Sequence, residues 1–66
     1  MYVMVFKVNG KVDSVDAISE SIDKLKQFAA DQFNNGNPYK WNNHNIAAAG
    51  GIEDGEYEIV MVDHVL

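Results

Sequence analysis

Two runs near opposite ends of the chain, Tyr2–Val8 (YVMVFKV) and Tyr57–Val62 (YEIVMV), are rich in β-branched and aromatic residues. Both carry apolar side chains on both of their alternating faces. Residues of this kind at a spacing of two read as strands. In the first, Tyr2, Met4, Phe6 and Val8 share one face, and Val3 and Val5 share the other before Lys7. In the second, Tyr57, Ile59 and Met61 oppose Glu58, Val60 and Val62. A strand that is apolar on both sides must be covered on both sides, so both runs are expected at the centre of a sheet.

Between them lies a segment with helical spacing. At 100° per residue, Val15, Ile18, Ile22, Leu25, Ala29 and Phe33 fall on one stripe. Asp13 and Ser14 offer an N-cap, and Asn34-Asn35-Gly36 offers a left-handed stop. The spacing predicts a helix over about 14–34. Asn9-Gly10 is a turn signal because both residues tolerate positive φ, and Lys11 and Val12 return as a very short strand. Asp54-Gly55 marks a second hairpin turn. Tyr39 to Trp41 is read as a short strand at most, and Ile46 to Gly51 as either a helical turn or a stretch of close backbone packing. The fold class that follows is α+β: one amphipathic helix (about 14–34) packed on a small three- to four-stranded sheet, with long strands at about 2–8 and 57–63.

One helix covers one face of a sheet. The apolar surplus on the other face needs a cover, and a self-complementary homodimer is the simplest source. Length presses the same way. Sixty-six residues are read as a single domain, 1–66, which buries only about 60% of the surface its unfolded chain exposes. Chains this short commonly add disulfides, a metal or a partner subunit. With no cysteine and only His44 and His64, disulfides and the common zinc cages are excluded.

Charge narrows the partners. Ten acids against five lysines, with no arginine, give a net charge of −5. Nucleic-acid binding depends on Lys and Arg neutralising phosphates, so direct binding is not expected. A protein partner, basic if charge guides the encounter, fits better. No signal peptide is legible, and no run approaches the ~18 apolar residues of a membrane span. A cytoplasmic location, without membrane contact, is the expectation.

The segment 34–45 (NNGNPYKWNNHN) holds six asparagines, the only proline and the only tryptophan. Asn offers donors and an acceptor, and Tyr and Trp offer rigid stacking area, a mixture suited to peptides, sugars or protein surfaces. Tyr39, Trp41, Asn42, Asn43 and His44 are therefore the candidate binding residues. The competing reading is structural: the asparagines turn and cap, and the aromatics close over the sheet. For Trp41 this inward reading is preferred, because large aromatics beside a small core more often pack into it. A second candidate surface is acidic. Asp16, Glu20 and Asp23 recur every three or four residues along the expected helix, about 5–6 Å apart, near the spacing of phosphates along a nucleic-acid strand. An ordinary solvated helix face explains them too, and Lys24 and Lys26 interrupt the field.

For chemistry the stock is thin. No G-x-S-x-G, P-loop, G-x-G-x-x-G or H-E-x-x-H pattern occurs. Ser14 is best read as a cap, and the adjacent Asp63 and His64 would point to opposite sides of a strand. No catalytic residue, metal site or cofactor is expected. The function expected is that of a non-catalytic protein-interaction module, a small accessory or inhibitory protein. The alternatives are an acidic DNA mimic that antagonises a nucleic-acid-binding protein, and a small-ligand or sugar binder working through the 34–45 loop.

Overall fold

The computed structural model describes residues 1–64. Four strands and one helix follow in the order β1 (Tyr2–Val8), β2 (Lys11–Ser19), α1 (Ile22–Phe33), β3 (Ile46–Ala48) and β4 (Gly55–Met61). All pairings are antiparallel, and the sheet order is β2-β1-β4-β3. The two strands apolar on both faces are thus the two central ones, as their side-chain pattern requires. The last strand ends at Met61, and Asp63 and His64 lie beyond it, exposed.

The α+β class holds, but the helix starts at Ile22 rather than near residue 14, and residues 11–19 form a nine-residue strand. The cause is a pair of β-bulges. Met4 pairs with Ala17 and Val5 with Val15, which leaves Asp16 as an extra residue; Phe6 pairs with Ser14 and Lys7 with Val12, which leaves Asp13 as another. Each bulge sets two residues against one. Val12, Val15 and Ile18, paired with Lys7, Val5 and Val3, therefore share a sheet face at a spacing of three. Over that window a doubly bulged strand and a helix present the same stripe. Ser14 is no cap: its hydroxyl donates to Asp16 Oδ1 at 2.7 Å within β2. The cap is Ser21, whose Oγ accepts from the Lys24 N–H at 3.3 Å.

The turns are as their residues suggest. Asn9 and Gly10 both have positive φ, 53° and 77°, which suits the twist of a two-residue hairpin. In the connection from β3 to β4 the positive φ falls on Gly51 and Asp54, and Gly55 is already the first residue of β4. Glycine is needed there for room: a Cβ would stand 2.9 Å from Ile52 Cγ2 and 3.2 Å from the Phe6 ring. Helix α1 stops where expected, with the Asn34 and Gly36 N–H groups both donating to the Ala30 carbonyl.

A helix about 10 Å across covers about two strands spaced ~4.8 Å apart. Helix α1 packs on β1 and β2, setting Leu25 and Ala29 against Met4. The β4 side of the same face is roofed by Tyr39 and Trp41, which pack on the core around Tyr57. The core is small. Of nine buried apolar residues four are alanines, and Met4 and Leu25 are the only large side chains fully buried among the described residues.

Candidate functional site

The opposite face of the sheet has no element lying on it among the described residues. Its composition follows from the register: Ile18, Val3 and Val60 form one row, Val15, Val5, Glu58 and Ile46 the next, and Val12, Lys7, Glu56 and Ala48 the third. Val12, Val15 and Ile18 are 60–61% exposed and Val60 is 38% exposed, surrounding a buried Val5. Scattered exposed aliphatics are ordinary; here four of them are gathered on one face of the sheet. The charges lie in the two rows away from Ile18, Val3 and Val60, Glu58 in the middle one and Lys7 and Glu56 in the third. Lys7 Nζ donates to Glu58 Oε1 at 3.1 Å, and Lys7 faces Glu56 in the ladder. The row Ile18–Val3–Val60 carries no charge.

The 34–45 segment takes a different part. It contains no strand, so the short Tyr39–Trp41 strand is not formed. Tyr39 and Trp41 are half-buried and meet edge to face with centroids 6.4 Å apart. The Tyr39 ring lies 5.4 Å from Tyr57, and its hydroxyl donates to the Phe33 carbonyl at 3.2 Å. Tyr57 is the hub: Phe6 lies 5.3 Å away, and Phe33 stacks on it at 5.4 Å and 16°. Burial first, and then the Tyr39 phenol beside it, push the Tyr57 hydroxyl up to about 12.

The asparagines organise backbone. Asn42 Oδ1 accepts from the N–H groups of His44 (2.8 Å) and Ile46 (3.1 Å), and Asn34 Nδ2 donates to the Asn37 carbonyl at 2.7 Å. Asn35 and Asn45 take positive φ of 54° and 57°. Of the five candidate binding residues, Asn43 and His44 are left projecting into solvent, while Tyr39, Trp41 and Asn42 are engaged in the fold itself.

The three candidate acids do not share a helix face. Asp16 is the extra residue of a bulge in β2, Glu20 lies between β2 and α1 near the chain's amino group (3.6 Å), and only Asp23 is on the helix, in its first turn. Two clefts lie beside the 34–45 segment. One, of about 610 Å³, lies between the two hairpin turns and is lined by Asn9, Lys40, Asn42, Asp54 and Glu56. The other, of about 330 Å³, runs between α1 and the loop beside Lys26, Gln27, Pro38 and Trp41. Lys26 Nζ lies 5.6 Å from the Trp41 ring centroid and occupies the stacking surface a sugar would use. Among the described residues no three His, Asp or Glu side chains come together as a metal site, and no helix is long and apolar enough to cross a membrane.

The open face is half legible in sequence. The apolar surplus of β1 and β4 points to it and Val12 is read in a short strand, but Val15 and Ile18 fall on the expected helix stripe, and only the bulges at Asp13 and Asp16 reveal where they lie. Comparisons with protein-family models, curated proteins and solved structures gave no match to this chain.

Proposed function

We propose that this protein is a non-catalytic protein-interaction module whose working surface is the open face of the sheet. The observation that carries the reading is the contiguous patch of Val12, Val15, Ile18 and Val60, exposed on a rigid four-stranded scaffold. Exposed β-branched side chains held by a backbone ladder lose little further entropy when covered, so such a face suits binding. The Asn/aromatic loop supports the reading from behind, since its aromatics complete the core under β4. The DNA-mimic alternative loses the regular spacing of carboxylates on which it rested.

A photo-reactive residue placed at Ile18 and, separately, at Gln32 on the exposed side of α1 tests this in the native cell. The reading expects discrete protein adducts from position 18 and none from position 32. Adducts that arise from position 32 alone would move the working surface to the helix side and overturn it.

A further inference from the structure

We propose that the occupant of the open face is a second copy of this chain, two sheets packing face to face with both helices outermost. The inference rests on reading that face as the interaction surface, and four observations name the partner.

The first is the edge. An edge strand of nine residues, β2, would ordinarily invite strand-to-strand pairing between copies. Bulges at Asp13 and Asp16 break its regular ladder and set a carboxylate at each break. Continuation of the sheet from molecule to molecule is therefore disfavoured at this edge, and the other edge, β3, is only three residues long.

The second is charge. A net charge of −5 sets two copies against each other in general. The open face carries little of it: Lys7 lies between Glu56 and Glu58, a net of one negative charge, and the Ile18–Val3–Val60 row is uncharged. Two such faces meet over that row with only this small residual charge on each, a weak field for recruiting a basic protein.

The third is area. Strands ~4.8 Å apart, rising ~3.3 Å per residue, give the face an outline on the order of 400 Å². Pairing two of them covers roughly 800 Å², in the range of small, reversible interfaces.

The fourth is the core. With two large side chains fully buried and four alanines among nine core residues, the protomer has little apolar burial of its own. A second copy is a partner present wherever the chain is made, and two-fold symmetry presents each apolar residue twice.

Sedimentation equilibrium of the full chain, from low to high micromolar, reads the outcome. The wild type is expected to dimerise. Val15→Glu with Ile18→Glu, at positions already 61% exposed, should leave the circular dichroism of the fold intact and weaken the dimer at least ~100-fold, since each carboxylate must be buried against the apolar face of the other copy. Val15→Lys with Ile18→Lys should do the same. A wild type that stays monomeric at high micromolar concentration overturns the inference, as does a glutamate variant that dimerises like the wild type. A monomeric wild type whose Ile18 still cross-links another protein in the cell removes the second copy and keeps the interaction surface. No adduct at all from Ile18 removes both.

Discussion

Lys7 and Glu58 close a 3.1 Å ion pair across the two central strands, on the open face of the sheet, with their side chains only 21% and 24% exposed. Flanked by Val12, opposite Lys7, and Val5, opposite Glu58, the pair is screened by neighbours more than a surface pair would be. Glu58→Gln removes the charge and leaves Lys7 half-buried with a weaker acceptor. The expected cost is about 1–2 kcal/mol, between the values for exposed and buried pairs. Lys7→Met with Glu58→Leu should recover that loss, because replacing both partners by apolar groups is often neutral. Urea unfolding at one fixed protein concentration measures the cycle.

The helix boundary makes a second prediction. Ser21→Ala removes the acceptor for the Lys24 N–H and should cost about 1 kcal/mol. Ser14→Ala, which removes only a hydroxyl bonded to Asp16 in an edge strand, should cost under about 0.5 kcal/mol. A helix beginning at 14 would reverse that order. Paired thermal melts settle it.

These two serines show where the sequence was readable. Strands β1 and β4 were legible because regular pairing preserves alternation, and Asn9-Gly10 and Asn34–Gly36 because positive φ restricts residue choice. Strand β2 was not, because each bulge adds one residue to the period. Two bulges turned the spacing of Val12, Val15 and Ile18 from two to three, the signature of a helix face. A serine at 14 then resembled a cap while the true cap at 21 resembled helix interior. The acids Asp16, Glu20 and Asp23 inherited the same error, and their apparent alignment went with it. For the loop, composition could not separate a binding surface from a roof. What separates them is a helix two strands wide on a sheet of four, which leaves Tyr57 to be covered by Phe33 at the helix end and by Tyr39, with Trp41 set edge-on against Tyr39.

Trp41→Ala should therefore behave as a core truncation. A loss of about 2–3 kcal/mol is expected, below the full cost of a buried tryptophan because the ring is half-exposed. Asn43→Ala and His44→Ala, at exposed positions, should stay within about 0.5 kcal/mol of wild type. Chemical unfolding followed by circular dichroism compares the three.

Tyr57 sets an alkaline limit. Its hydroxyl titrates near 12 in the fold and near 10.0 when unfolded, because burial disfavours the phenolate. A folded value above the unfolded one contributes stability that is fully present below pH 10 and lost as pH rises towards 12. The loss by pH 12 is on the order of 2–3 kcal/mol. Urea midpoints should fall across that window in the wild type, and fall less in Tyr57→Phe.

The central claim is that the open face of the sheet is covered in solution by a second copy. Isotope-filtered NMR on a mixture of labelled and unlabelled chains at high micromolar concentration tests it most directly. Contacts between molecules are expected at the methyl groups of Val12, Val15, Ile18 and Val60. A spectrum in which these methyls show no intermolecular contact, or in which the contacts come from Trp41 and the helix instead, contradicts the account.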